Sequence, residues 1–550
     1  MKLVSKFFII SAVLAGAMLL PACKSGSGSG AASEGPEEQQ LFIGDNIAVA
    51  NTEYGRVRGY ILGKIYTFLG VPYGAPVDGE NRFMRAQKPQ PWEDIRPAVF
   101  YGNVAPQITD NKWPNGYGTF TDHWNYYDVS ENCLTLNVWT PNLDAAKRPV
   151  IVWFHGGGFT NGNAIEQDGY HGENFARFGD VVFVSVNHRL GPIGFTDFSA
   201  VDPKFKDSGN VGILDCVDAL KWVHNNIASF GGDPDNVTIM GQSGGGAKVC
   251  NLVQMPETAG LISKAVALSG NTTSAIDPSY SQELGKFIYE KAGKSMEKLQ
   301  SMTWREYIDL ANASYREFNA IRPTAGFRGG FGPVADGTHI PAGTFFSDPD
   351  AASAKVPLLL CSTTSESAPS KTNAALEEVD RAGAIEILKS MRGFGGAVAN
   401  PEAAFDAYME VFPDQKPIDA VGLIFSSRAG VVNTANAKHV QEAPVYVAWF
   451  GMNSPLFDGR MRAPHCADIC YWFMNTDRMV THTGGGARPR NLSKKMAGAL
   501  LAFMRTGNPN VKGLPEWPEY TPENGELMFL GDECKVMNDP DREARKSLEN

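Results

Sequence analysis

A serine set between glycines is the first chemistry this sequence offers. Residues 237–246 read V-T-I-M-G-Q-S-G-G-G, four residues of strand character running into Gly241, Ser243 and Gly245. G-x-S-x-G between a strand and a helix is a nucleophile elbow, a turn so sharp that one hydroxyl is thrust out at its tip. Glycines flank the serine because the turn is strained and the next helix packs against the strand with no room for a Cβ. Residues 150–159 supply what an attacking serine needs. They read V-I-V-W-F-H-G-G-G-F, an apolar strand emptying into three glycines, a run that no packing demand would select. Backbone N–H groups can crowd toward one point there, as an oxyanion hole requires. Gly157 and Gly158 are the expected donors, and the N–H of Gly244, after the serine, is the third. A phosphate-binding loop is the competing reading, but the G-K-[ST] it needs does not follow. His155 reads as a brace for the glycine loop rather than a titrating group.

These two stretches need a frame. Apolar runs at 150–154, 181–186, 237–240, 265–268, 356–361 and 445–450 alternate with helical stretches. That predicts an α/β fold, a mainly parallel central sheet with helices on both faces. Several runs are continuously apolar, as strands covered on both sides should be. The clearest helix spans about 212–230, where Leu214, Val217, Leu220, Val223 and Ile227 share one face. Residues 41–140 are richer in Tyr, Gly and Pro, with short strands at 56–60 and 66–70. No repeat and no second linker interrupts the body, so 41–550 reads as a single domain.

The chain has 550 residues, 43% hydrophobic and 20% charged, with a net charge of -11, the composition of a globular protein with a sizeable core. No basic block exists to neutralise phosphates, which excludes a nucleic-acid partner. Lys2 and Lys6 precede an apolar run, 7–20, too short for a permanent span, so residues 1–22 read as a signal peptide. The run ends in L-P-A-C, which resembles a bacterial lipobox with Cys23 as the lipidated first mature residue. Residues 24–40 are a Gly/Ser/Glu tether that buries nothing. The expected location is the bacterial cell envelope, on the outer membrane or facing the periplasm, with membrane contact only through that lipid anchor. Of eight cysteines, the seven besides Cys23 form no C-x-x-C pair and fit neither a disulfide framework nor a zinc site. No metal and no cofactor is expected, and the sequence carries no signal of oligomeric state.

Further motifs carry a resemblance. S-E-N-C-L-T-L-N-V-W-T-P (130–141), H-G-G-G-F (155–159), V-N-H-R-L-G-P-I-G-F (186–195), G-N-V-G-I-L-D (209–215), F-G-G-D-P-D-N-V-T-I-M-G-Q-S-G-G (230–245) and F-G-P-V-A-D-G (331–337) occur in this order. Over about 51–545 the chain resembles the type-B carboxylesterases, α/β-hydrolases that include bacterial para-nitrobenzyl esterases and cholinesterases. The resemblance implies an α/β-hydrolase fold and hydrolysis of small carboxylic esters through an acyl-enzyme. In this fold acid and histidine follow the serine along the chain. His439 and His482 satisfy that order, but His465, in R-A-P-H-C-A-D-I after the 445–450 run, matches the family's catalytic loop. Glu366, in S-T-T-S-E-S after the 356–361 run, falls where the family places its acid. Asp336 lies in a motif read as structural. Ser269 matches the serine that braces the acid. Activity is expected to fall as His465 protonates, at about pH 6 to 7.

The departures from the family narrow the reading. G-Q-S-G-G replaces the usual G-E-S-A-G, so Gln242 removes a carboxylate beside the serine, which argues against choline esters. Gly244 for alanine keeps the N–H donor. Cys133 matches a family disulfide cysteine whose partner position is Ala105, so Cys133 is expected to be a buried free thiol. Without that staple, the loop carrying Trp113, Tyr117, Phe120, Trp124, Tyr126 and Tyr127 is expected to be mobile. Its aromatic rings either roof the site or simply pack. Two alternatives stay open: an esterase specialised for acyl or phenolic groups on polysaccharides, and a non-catalytic binding protein, which requires a broken triad.

Overall fold

Val150 to Phe154 are each wholly inaccessible, and that double-sided burial is the key to the architecture. The computed structural model describes residues 40–109, 120–121, 125, 128–324, 329–393 and 396–548. The leader, Cys23, the tether and all but Phe120 of the loop aromatics named above lie outside those residues. The strands on the N-terminal side are β1 (Leu41–Phe42), β2 (Val49–Thr52), β3 (Gly55–Arg58), β4 (Tyr60–Leu62), β5 (Ile65–Pro72), β6 (Arg96–Pro97) and β7 (Thr135–Thr140). The central strands are β8 (Arg148–Phe154), β9 (Val182–Val186), β10 (Gly232–Gln242), β11 (Lys264–Leu268), β12 (Leu358–Thr363) and β13 (Val445–Phe450). β14 (Glu526–Leu530) and β15 (Lys535–Asn538) follow. Twelve of them form one sheet in the order β1-β4-β5-β7-β9-β8-β10-β11-β12-β13-β14-β15, while β2, β3 and β6 form a small second sheet.

From β9 through β14 every neighbour pair is parallel. Antiparallel strands finish both edges. Along each central strand, successive side chains enter opposite cores, because the strand period is two. Val150, Val152 and Phe154 join one apolar cluster, and Ile151 and Trp153 join the other. Leu358 and Leu360 against Leu359 and Cys361 repeat the pattern. On the first side lies the helix Val211–Asn226, continued by a 3₁₀ turn at Ile227–Phe230, so the expected 212–230 helix tightens in its last turn. On the other side, the helix Ala487–Thr506 buries Leu492, Met496, Leu500 and Phe503, a stripe of i, i+4 and i+8 steps completed by Phe503. The α/β-hydrolase expectation is met, with helices on both faces.

Several strand boundaries differ from the sequence reading, those of β12 and β10 among them. β12 starts at Leu358, after Pro357, which has no N–H to give a ladder, and runs on to Thr363. β10 begins five residues early, at Gly232, which pairs with Arg148 ahead of a register shift at Val237. Among the described residues no helix is long and apolar enough to cross a membrane.

Ion pairs fasten distant segments inside this frame. Arg189 and Asp215, both wholly buried, meet at 2.6 and 2.8 Å, and Arg189 also donates to the Met84 carbonyl at 2.7 Å. Arg428 pairs with Asp539 at 3.1 Å and Asp541 at 3.3 Å, and both carboxylates also hold Arg545. The Arg428 guanidinium lies 5.5 Å over the Trp449 ring of β13.

Removing one partner of a buried pair strands the other charge, at a cost of about 3–5 kcal/mol. Asp215→Ala is therefore expected to lower the unfolding free energy by that amount, read as a lower denaturant midpoint with an unchanged slope. A change within 1 kcal/mol would mean that water reaches Arg189.

Candidate active site

The elbow forms at the C-terminal end of β10. Ser243 sits at φ 57, ψ −125 between β10 and the helix Gly244–Leu252. Side chains occupy such backbone only where the surroundings enforce it. Its N–H donates to Leu268 O at 2.8 Å, and its carbonyl accepts from Ala247 N at 3.0 Å, which pins the turn to β11 on one side and its helix on the other. A Cβ on Gly245 would lie 2.1 Å from the Phe154 carbonyl oxygen, so only glycine lets the helix start this close to β8. Ser243 itself is half-buried, its flanks fully so.

The glycine loop lies directly beside this turn. Gly157 (φ 86), Gly158 (φ 62) and Phe159 (φ 66) all take left-handed backbone. A Cβ built on Gly244 would stand 2.6 Å from the amide nitrogen of Gly158 and 3.1 Å from that of Phe159. The expected donors Gly158 and Gly244 are thus neighbours in space, and the Phe159 amide joins them. Gly157 carries the turn, its carbonyl accepting from Thr160 N at 3.0 Å and Asn161 N at 3.1 Å.

His465 and Glu366, 99 residues apart, meet on the far side of the elbow. Glu366 Oε2 and His465 Nδ1 lie 2.5 Å apart, and the His465 N–H donates to the Glu366 carbonyl at 3.1 Å. The Glu366 Oε1 accepts from Ser427 Oγ at 2.5 Å and Thr363 N at 3.2 Å. Burial pushes the Glu366 carboxyl up, but the imidazole and the hydroxyls override it and hold the acid below its usual range. Burial likewise opposes charge on His465, whereas Cys466, through its thiolate, and then the Glu366 carboxylate favour it, so the imidazole lies above its ordinary 6.5. Cys466 does not share that effect at neutral pH, because burial raises its thiol and keeps it protonated. The acid-side loss expected at about pH 6 to 7 therefore moves upward. Asp468, one turn on, is pushed up to about 6 by burial and then by Glu366.

Gln242, the residue before Ser243, ties the two halves. Its Nε2 is 3.2 Å from His465 Nε2 and 3.3 Å from Nδ1. An atom in the ring plane at both distances would collide with the carbon between the nitrogens, so the amide lies over the ring face. The Cys466 thiol donates to its Oε1 at 3.1 Å. Ser269 is buried at the end of β11, its hydroxyl helping to hold Glu366 low from outside hydrogen-bond range. The direct bond to the acid comes from Ser427, which the sequence reading missed; in S-S-R-A-G no spacing marks it. Cys466 was legible only as the neighbour of His465.

The remaining candidates stand apart. His439 lies at the end of the helix Arg428–His439 and His482 in the short helix Val480–Thr483. Asp336 caps a turn, accepting from the N–H groups of Thr338 and His339. His155 stacks on His188 with centroids 4.8 Å apart, under the glycine loop. Cys133 is free and buried, and Ala105 is buried too. Among the described residues no cluster of His, Cys, Asp or Glu could hold a metal ion.

Known proteins resemble this chain over nearly its whole length. The sequence pattern of the carboxylesterase family matches residues 46–548. The para-nitrobenzyl esterase of Bacillus subtilis (strain 168) is 30% identical over 91% of this chain and 98% of its own. A phenmedipham hydrolase of Pseudarthrobacter oxydans is 31% identical over 91% and 99%. An esterase of Clostridium hathewayi whose structure is solved, described as able to hydrolyse aliphatic aromatic polyesters, superposes with a TM-score of 0.78 at 33% identity, covering 93% of this chain and 99% of that one.

The 2.6 Å approach at Gly244 sets a test. Gly244→Ala must push the Gly158 amide away, and a displaced oxyanion donor is expected to lower kcat for ester hydrolysis about tenfold or more with little change in KM. An unchanged kcat would show that the loop accommodates the methyl group elsewhere.

Proposed function

We propose that this chain, which belongs to the carboxylesterase family and is a carboxylic-ester hydrolase, works through Ser243, His465 and Glu366 by way of an acyl-enzyme. The observation that carries the reading is the Glu366–His465 contact at 2.5 Å, with Gln242, the residue before the serine, lying 3.2 Å from the same imidazole. His465 takes the proton of Ser243 as its oxygen attacks the ester carbonyl, and Glu366 holds the tautomer and stabilises the imidazolium. The carbonyl oxygen, now negative, rests on the N–H groups of Gly157, Gly158 and Gly244. The imidazolium then protonates the leaving alcohol. Water activated by the same histidine releases the acid and restores Ser243.

Gln242 places a neutral amide where the family usually carries a carboxylate, which disfavours cationic alcohol groups at this position. The substrate class is therefore an uncharged small carboxylic ester. At the N-terminus, residues 1–22 serve as a lipoprotein signal, Cys23 carries the lipid, 23–40 is the tether, and 41–550 is one catalytic domain in the cell envelope. The L-P-A-C motif and the Gly/Ser run after it support that arrangement. Mass spectrometry of the membrane-extracted protein is expected to find an acylated N-terminal Cys23.

Ser243→Ala is expected to lower p-nitrophenyl butyrate hydrolysis by at least about 10³-fold and to abolish labelling by a serine-reactive fluorophosphonate; retained labelling would assign the nucleophile elsewhere. The pH dependence follows from the raised imidazole. His465 is protonated and inactive below its pKa, so kcat/KM is expected to rise with pH through a midpoint above 6.5. Glu366→Gln removes the charge that raises it, so the midpoint should fall while the plateau drops about 10³–10⁴-fold. A midpoint unmoved by that substitution would separate Glu366 from the histidine.

A further inference from the structure

Lys248 is wholly buried on the first turns of the helix that follows Ser243. A methionine would fill such a place without the cost of taking an amine out of water, so packing alone does not account for it. Its Nζ donates to the carbonyl of His155 at 2.7 Å and lies 5.5 Å from the centroid of the Phe159 ring. His155 immediately precedes the three glycines and Phe159 immediately follows them. One side chain on the serine's helix therefore grips both ends of the glycine loop.

The surroundings fix the same two ends. The His155 ring stacks on His188 at an interplanar angle of 11°, and the Phe159 ring meets Phe195 edge-on at 5.6 Å. Burial, then the nearby Lys248 charge, holds His188 well below its ordinary pKa, so the His188 ring of the stack is neutral beside the amine. The need for a grip is plain from the sequence. Three successive glycines have the largest conformational freedom of any tripeptide, yet oxyanion donors must stay within about 0.5 Å of their working positions.

We propose that Lys248 is a positioning residue for acyl transfer, stapling the glycine loop to the nucleophile helix so that the N–H groups of Gly157 and Gly158 stay aimed at the oxyanion. This role rests on Ser243 being the nucleophile. The staple acts on the transition state more than on substrate binding, because the donors meet full negative charge only after attack. The two segments it joins also approach closely at their glycines, Gly245 against Phe154 and His155 and Gly244 against Gly158.

The test uses the full chain, with Lys248→Met, Phe159→Leu and Ser243→Ala assayed on p-nitrophenyl butyrate and against a trifluoromethyl ketone, which forms a tetrahedral adduct with an active serine. Lys248→Met is expected to lower kcat about tenfold or more, a fraction of one donor's worth. KM should stay within about twofold, and ketone inhibition should weaken by the same factor as kcat. A folded Lys248→Met with wild-type kcat and ketone affinity overturns the role while leaving Ser243 in place. So does one in which only KM or the melting temperature moves. If Lys248→Met does not fold, Phe159→Leu decides: it removes the ring under the amine, and the same kcat and ketone losses support the staple, whereas wild-type values overturn it. A wild type that turns over no ester, or a Ser243→Ala that keeps its turnover, removes the nucleophile and this role with it.

Discussion

The parallel pairing of β8 with β10 is the constraint on which the rest depends. Its register sets Gly241 opposite Phe154, so the two strands end side by side. The chain leaving β8 becomes the glycine loop and the chain leaving β10 becomes the elbow, and neither can drift along the sheet without flipping every buried side chain to the wrong core. Because Val150 to Phe154 and their β10 partners are buried on both faces, the register is fixed by apolar packing in both cores rather than by the site. The sheet does the positioning; the loops then need only short-range glycine contacts to bring the amides of Gly158 and Gly244 together.

The acid and the histidine reach the same corner by a different route. Glu366 follows β12 and His465 follows β13, and these strands are paired in register from Leu358 with Val445 to Thr363 with Phe450. Their loops therefore leave from neighbouring strand ends. A buried carboxylate and a half-buried imidazole each lose hydration, and each is made tolerable by the other. The pair is consequently a single unit, with the proton on the imidazole over a wider pH range than an isolated histidine would allow. Ser427, from a helix end between the two strands, fills the remaining acceptor site of Glu366.

Much of this was legible in the sequence because burial on both faces writes itself as unbroken apolar runs. The central strands and the serine between its glycines stood out on that ground. The edges did not: β1 and β15 are short and exposed, and the helix Ala487–Thr506 opens with A-R-P-R, which hides its apolar stripe. Glu366 and His465 could be placed only by resemblance, since no local period links residues brought together from separate strand ends. Ser427 and Lys248 were invisible for a related reason. A serine before an arginine, or a lysine after an alanine, has no signature until the partner arrives from another element. Lys248 still left a trace, as the one charge within G-G-G-A-K-V-C-N-L.

The pairing of Arg428 with Asp539, Asp541 and Arg545 bears on the order in which the molecule can be completed. Arg428 begins the helix that leads into β13, and β13 delivers His465. Its counter-charges are made more than a hundred residues later in synthesis. A nascent chain that already holds the elbow, the glycine loop and the histidine still lacks the carboxylates that neutralise Arg428 beneath Trp449. Until residues 539–545 emerge, the helix packed beside β13 starts with a cation that lacks these carboxylates, and domains tend to close as units. Completion of this charge cluster is thereby tied to translation of the far end of the chain.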